Sequence, residues 1–438
     1  MNNKKRHILT IGKLSLLILA QALPSIASSE DGVNKSEITI GGVMDLEGRS
    51  SRLGLGMKAG IEAAIKDQTV AGKKINFVTL NDSYNPTKTK ESTNKLVQEK
   101  VFLFAGNVGT PTAKVALPIL EDNKIPAIGF FTGAGLLRNG SDNIINYRAS
   151  YVQETKAVID AALKQGVRPE GICAYVQNDA YGMAGIKGIR KALDNASNSG
   201  NSIKALDKIL KMEGNRPKRN GMGPVGVYAR NTFTARAGYD SLKLWERKQG
   251  ASCRLVVTVG AYDSVSRFIA YAKSKNEPWV YSAVSFTGAE TLASTLKKFG
   301  VSDKVIMTQV VPLGDSNLPI VKEARNALGK EYGHVSQEGY IVGKLLLHGL
   351  RQINSPQGTS DASSDTKKNN ADKPITRENL IAAFKGNKFD LGGLEMDFSD
   401  DNQGSDLVVL TKLLKNKWVP LKDSNWNALL NMQVAQSN

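Results

Sequence analysis

From Glu37 onward the chain alternates short β-rich runs with segments of helical spacing, and it does so twice. In the first round "EITIGGVM", "KINFVTLND", "VFLFAGNVG" and "IPAIGFF" read as strands, and "LGLGMKAGIEAAIKDQT", "NPTKTKESTNKLVQEK" and "PTAKVALPILEDNK" between them as helices. Parallel neighbours need a long crossover, and a helix supplies it, so this order predicts a parallel sheet covered on both faces. After an extended link, "NIINYRAS", the pattern restarts. "GICAYVQN", "IKALDKILKM", "CRLVVTVG" and "WVYSAVSF" are the second set of strands, and "SYVQETKAVIDAALKQ", "GMAGIKGIRKALDNA", "TARAGYDSLKLWERKQ" and "SVSRFIAYAKSK" the second set of helices. At 438 residues the chain is longer than one core organises. The expected fold class is therefore α/β, with two doubly wound, Rossmann-like lobes. The later "KVIMTQVVP", helices near 320–330 and 337–353, and "GGLEMDF" are free to pass between them.

In open α/β sheets ligands collect beyond the carboxyl ends of the strands, where helix N-termini point their donors. Here those ends are rich in hydroxyls. Thr110 before Pro111 makes an N-cap and N1 pair. "FFTGAG" places Thr132, Gly133 and Ala134 after a strand; "QNDAYG" and "VGAYDS" place Asp179, Tyr181 and Tyr262. "SFTGAE" offers Ser285 and Thr287, with Glu290 spaced for a capping box. A hydroxyl in such a turn can simply cap its helix. Several turns converging from both lobes would instead hold a carboxylate or other polar group, with the tyrosines stacked on the remainder.

Catalytic patterns are missing. Gly54, Gly56 and Gly60 approach a dinucleotide fingerprint, but the third glycine falls one place late. No phosphate-binding loop, nucleophile elbow or zinc-protease helix motif occurs. The three histidines, His7, His334 and His348, lack partners at ligand spacing, so neither a metal nor a cofactor is expected. The paired Asp400 and Asp401 belong to a polar turn. The chain reads as a binder, not an enzyme.

The first residues, 1–27, read as a cleaved signal peptide: "MNNKKRH" is a basic region, "ILTIGKLSLLILAQAL" an apolar one, and Ser25-x-Ala27 a small-residue cleavage site. An exported, periplasmic chain is expected. The formal charge is +17, yet the lysines are scattered instead of forming a basic stripe with interleaved aromatics, so no nucleic acid partner is expected. "NRPKRNG" reads as a solvated loop within an inserted segment, 195–232. A second insertion, 354–373, is low in complexity and almost free of apolar side chains, and reads as a surface loop. Cys173 and Cys253 begin two strands; a disulfide and two buried thiols both remain open.

In order along the chain, "IGGVMDLEGRSSRLGLGMKAGIEAAI", "GNVGTPTAKVALPIL", "NYRASYVQE", "QNDAYGMAG", "VSFTGAETLA", "IMTQVVP", "EGYIVGKLL" and "DLGGLEMDFSDDNQGSD" resemble the periplasmic type 1 solute-binding proteins of ABC importers. The likeness is to the branched-chain amino acid (Leu/Ile/Val-binding) type, in a divergent subgroup. The resemblance covers residues 37–420. It implies two lobes joined by a three-crossing hinge, with residues 36–148 and 312–394 in lobe 1 and 149–311 and 395–438 in lobe 2. It also implies a monomer that closes over one ligand. Thr110 matches a position holding a ligand carboxylate, Thr132, Gly133 and Ala134 the turn beside it, and Tyr181 and Tyr262 aromatic positions of the second lobe.

The chain departs from that pattern in three places. Tyr84 and Gly109 stand where the Leu/Ile/Val type has a disulfide, and Ala134 replaces a frequent threonine. Where amino acid binders place an acid for the ligand's ammonium, "YSAVSFTG" offers Val284 and Ser285. This predicts a ligand other than an ordinary α-amino acid, and Arg49 and Arg52 in the first turn favour an acidic one. The expected function is solute binding and delivery to an inner-membrane ABC permease. A receptor feeding a histidine kinase or chemoreceptor is the alternative.

Overall fold

Strand β1 (Glu37–Met44) lies in the interior of a sheet, with Ile38 and Ile40 fully buried, and its apolar run is what burial on both faces demands. The computed structural model describes residues 30–138, 142–214, 216–353 and 373–430. The expected signal peptide, and all but the last residue of the insertion expected at 354–373, lie outside them. With β2 (Thr69–Val70), β3 (Lys73–Asn81), β4 (Leu103–Ala105), β5 (Ala127–Ile128) and β6 (Ile144–Ile145), β1 forms a sheet of order β2-β3-β1-β4-β5-β6. All pairings are parallel except that of β2 with β3.

The crossover helices are α1 (Ser51–Ile65), α2 (Pro86–Gln98) and α3 (Thr110–Asp122). The glycines that suggested a dinucleotide turn serve packing instead. A Cβ on Gly54 would stand 2.0 Å from the Asp45 carbonyl oxygen, and one on Gly60 would stand 2.1 Å from that of Ser336.

The second sheet repeats the plan. Its strands are β7 (Ile172–Gln177), β8 (Val225–Tyr228), β9 (Leu255–Val259), β10 (Val280–Ala283) and β11 (Val305–Gln309), ordered β8-β7-β9-β10-β11. The helices around it are α4 (Tyr151–Lys164), α5 (Ala180–Ala192), α6 (Gly200–Leu210), α7 (Arg236–Gln249), α8 (Tyr262–Ser274) and α9 (Ala289–Lys298). In the first lobe β3, with the short β2 beyond it, lies on one side of β1 and β4 on the other; in the second, β8 lies on one side of β7 and β9 on the other.

Two expectations fail here. "IKALDKILKM" is not a strand but most of α6, whose buried Ser202, Leu206 and Ile209 recur at helical spacing. The strand is β8, inside the segment read as an insertion. The basic loop before it is not wholly solvated either. Arg219 is buried, its Nη1 donating to Asn178 Oδ1 at 2.6 Å and its Nη2 to the Met212 carbonyl at 2.8 Å.

After β11 the chain returns to the first lobe through α10 (Pro319–Leu328) and α11 (His334–Gln352), and α11 packs along α1. A hairpin, β12 (Lys388–Asp390) and β13 (Glu395–Asp397), follows. It straddles the lobe boundary expected between 394 and 395. Its Phe389 ring stacks on His348 of α11, so the hairpin stays with the first lobe. The final crossing comes after Gly404, leading to β14 (Val409–Leu414) and β15 (Lys417–Pro420), which extend the second sheet antiparallel beyond β11.

The three crossings are bound together. Asn146 N–H donates to the Asn402 carbonyl at 2.8 Å, Gly404 N–H to that of Asn146 at 2.9 Å, and Tyr147 Oη to that of Val310 at 2.7 Å.

Cys173 of β7 and Cys253, just before the neighbouring β9, are joined by a disulfide with Cα atoms 5.8 Å apart. It ties residues 80 apart in sequence, which restricts the unfolded chain. Replacing both cysteines by alanine should lower the unfolding free energy by about 2–4 kcal/mol. Urea titration with an unchanged far-ultraviolet circular dichroism spectrum would show it; equal midpoints would refute it.

Candidate functional site

A sheet whose strand order reverses beside its first strand leaves a crevice at that switch point. In the first lobe the crevice lies between β1 and β4, at the loops leading to Arg49 and Thr110. In the second it lies between β7 and β9, at the loops leading to Tyr181 and Tyr262. The two crevices face each other. Tyr262 Oη donates to the Arg49 carbonyl at 2.7 Å, and Gln177 Nε2 donates to Tyr84 Oη at 3.1 Å.

Gly109, at φ 104°, is the N-cap of α3, so Thr110 is its first residue and not its cap. The Thr110 hydroxyl is thereby free of the backbone and meets Thr132 Oγ1 at 2.6 Å. Thr132 Oγ1 also reaches Tyr151 Oη at 3.2 Å. Tyr151 is held by the turn before it, its N–H donating to the Gly133 carbonyl at 2.8 Å. Burial lifts the Tyr151 hydroxyl to about 12, so it remains a neutral donor. Ala134 is buried beside this set, and its carbonyl accepts from Arg138 Nη1 at 2.8 Å.

An aromatic box adjoins the hydroxyls. Phe286, from the turn after β10, crosses the cleft to Phe131 (centroids 5.2 Å apart) and Tyr84 (6.1 Å). Tyr181 lies 4.8 Å from Phe286 and 5.1 Å from Tyr151. The Tyr181 hydroxyl is fully buried, pushed well above its ordinary range by burial, and has no hydrogen-bond partner among the described residues.

Not every expected residue joins this group. The Arg49 side chain is exposed and lies over the Phe233 ring, 4.1 Å from its centroid, so it contributes only its carbonyl to the lobe contact. Tyr262 marks the rim through that carbonyl. Glu290 makes no capping box. Gly288 caps α9, and Glu290 Oε1 accepts from the His334 N–H of the opposite lobe at 3.0 Å.

Ser285 is buried, but its surroundings do not lack a carboxylate. Glu154, the fourth residue of α4 and one past the Ser150–Gln153 capping box, reaches it from another element: Ser285 N–H donates to Oε2 at 2.7 Å and Ser285 Oγ to Oε1 at 3.0 Å. Thr308 Oγ1 also donates to Oε2, and Arg148 Nη2 to Oε1 at 3.1 Å. Arg148 donates to Ser285 Oγ as well, while its Nη1 lies 3.4 Å from Glu338 Oε1 on α11. Burial would lower the Arg148 guanidinium, but the Glu338 and Glu154 carboxylates raise it above its ordinary value. Sequence reasoning missed Arg148, Tyr151 and Glu154, although all three lie in "NYRASYVQE". Their signal was an arginine, an aromatic and an acid across a helix start, a spacing that matches no one-face rule.

Among the described residues no helix is long and apolar enough to cross a membrane, and no group of three or more His, Cys, Asp or Glu could hold a metal.

A family model described as periplasmic binding protein matches residues 37–201. A solved structure from Rhodopirellula baltica SH 1, described as a possible leucine/isoleucine/valine-binding protein, is 30% identical; the match covers 91% of this chain and 99% of that one, at a TM-score of 0.73. A branched-chain amino acid ABC transporter protein from Thermus thermophilus, with bound valine, is 17% identical, covering 89% and 96% at TM-score 0.67. An ABC transporter solute-binding protein from R. palustris, in complex with 4-hydroxybenzoate, is 16% identical, covering 88% and 96% at TM-score 0.63. No curated protein sequence matches the chain.

Burial raises the Glu338 carboxyl to about 7, against the partial relief that Arg148 gives. Its folded value exceeds its unfolded one, so the stability it contributes is complete below about pH 4.3 and is lost as pH rises through about 7. E338Q stays neutral throughout. From about pH 5 to about pH 8 its stability relative to wild type should rise by about 2–3 kcal/mol, read from denaturant titrations. A constant difference would refute the shift.

Proposed function

This chain belongs to the periplasmic binding protein family, and from that membership we propose that it is the solute-binding component of an ABC importer. It closes over a small carboxylate-bearing ligand in the periplasm and hands it to an inner-membrane permease. The family binds its substrates and does not transform them. The lobes hinge on the three crossings and meet at their switch points, which is where a ligand would be enclosed.

The observation that carries the ligand class is the run of hydroxyls Thr110–Thr132–Tyr151. If each donates to the next, the Tyr151 proton is left to point at an acceptor, and the Tyr181 hydroxyl is a second buried donor without one. Buried donors left unpaired cost about 1–3 kcal/mol each. A carboxylate has only acceptors and satisfies several at once. The valine and 4-hydroxybenzoate of the two structurally similar proteins share that group, which supports the reading. The aromatic box would take the rest of the ligand, with Phe286 withdrawing as the lobes open.

The mature chain, unfolded and refolded to strip carried-over ligand, tests this by thermal shift against benzoate, 4-hydroxybenzoate, 4-methylpentanoate and the matching amides. A carboxylate at ~100 times its Kd should stabilise it by roughly 2.7 kcal/mol, and the amides should not. T132V should weaken that carboxylate by about 10- to 100-fold while leaving the unliganded fold intact. Equal shifts from acid and amide would overturn the reading.

A further inference from the structure

We infer that Arg148 sets the ligand class of this cleft, because its guanidinium occupies the place where a ligand's ammonium would find its acceptors. The inference rests on the carboxylate reading above and goes beyond it: the cleft takes acids that carry no amino group.

The wall beside the hydroxyl run holds two buried carboxylates. Glu154 comes from α4 of the second lobe and Glu338 from α11 of the first; both are almost wholly inaccessible. On charge alone, such a pair would welcome a cation. The protein supplies its own. Arg148 sits between them, bonded to Glu154 at 3.1 Å and 3.4 Å from Glu338. Glu154 has nothing left to offer, since Oε1 accepts from Arg148 and Ser285 Oγ and Oε2 from Ser285 N–H and Thr308 Oγ1.

The guanidinium also borders the ligand region. Its Cζ lies 5.1 Å from the centroid of the Phe131 ring and 5.8 Å from that of Tyr151, the two rings that flank Thr132. Among the described residues its Nε and Nη1 find no hydrogen-bond acceptor, although both are buried. The guanidinium beside these two rings is therefore a cation with donor capacity to spare. It attracts a carboxylate. An ammonium carried on the same ligand would be pressed against a like charge, with both Glu154 oxygens already taken and Glu338 paired to the same guanidinium, and like-charge contact disfavours it.

This explains the sequence at Ser285 differently from a simple loss of acid. The acid is present, but it arrives from α4 already paired.

The test is calorimetric titration of the refolded mature chain with two matched pairs, 4-methylpentanoate with leucine and 3-phenylpropanoate with phenylalanine. Wild type should bind at least one acid about 100-fold tighter than its amino counterpart. R148M, which removes the cation and keeps much of its volume, should shrink that ratio below about 10-fold or invert it. R148K, which keeps the charge, should preserve the preference. A merely structural Arg148 would weaken both members alike and leave the ratio unchanged, and that result overturns the inference. So does wild-type binding of the amino acid as tightly as the acid, which leaves the carboxylate reading standing. Binding of the neutral amides in place of either acid overturns the carboxylate reading itself. If R148M does not fold, R148Q/E154Q removes one charge of each sign and must show the same collapse of the ratio.

Discussion

Three lengths of chain running side by side between the lobes decide what the rest of the molecule can be. Asn146 is hydrogen-bonded on both sides of Gln403, and Tyr147 reaches over to Val310. These bonds keep the crossings in register, so the lobes can rotate about them but cannot slide. The residue after Tyr147 is Arg148, and the first full turn of α4 brings Glu154. The most highly charged buried cluster of the cleft is therefore anchored at the hinge itself. Glu338 meets it from α11, which moves with the first lobe. Opening would separate Glu338 from the arginine and return both to water.

The repeated strand order does the remaining placement. Because both sheets reverse direction beside their first strand, the turns after β1 and β4 face those after β7 and β9. A single rule of α/β topology thus locates Thr110, Tyr181 and Tyr262 before any side chain is considered. What each turn then offers depends on local detail. A left-handed glycine in the capping position moves Thr110 one place into α3, and its hydroxyl is released from backbone duty. Had Thr110 capped the helix, its oxygen would have been spent on a backbone N–H.

That detail marks the limit of what the sequence discloses. The alternation of apolar runs and helical spacing carried the two lobes, since periodicity reports which face is buried. It misled at "IKALDKILKM", where Leu206 and Ile209, three apart, share a face only in a helix, and that face packs on α5. Strand-end turns were legible because their composition is distinctive. The charge cluster was not, because Arg148 with Glu154, Ser285, Thr308 and Glu338 come from four separate stretches of the chain and only tertiary folding assembles them. Arg49 shows the converse. It stands in the right turn by sequence, yet the Phe233 ring draws its guanidinium outward to the rim.

The protonation states fit recognition better than reaction. A group that transfers protons must change state near the working pH, whereas a group that recognises an anion should not. The Tyr151 hydroxyl is held at about 12, the Tyr181 hydroxyl is pushed well up by burial, and Arg148 is held firmly charged by its two carboxylates. All three remain donors across any pH a periplasm meets. Glu338, at about 7, is the member of the cluster that titrates, and it lies behind the guanidinium, not among the hydroxyls. Its proton changes how strongly the first lobe holds Arg148, and leaves the donor set that would face a carboxylate unaltered. Affinity for the anion and ease of closure are thus governed by different groups, joined through one arginine.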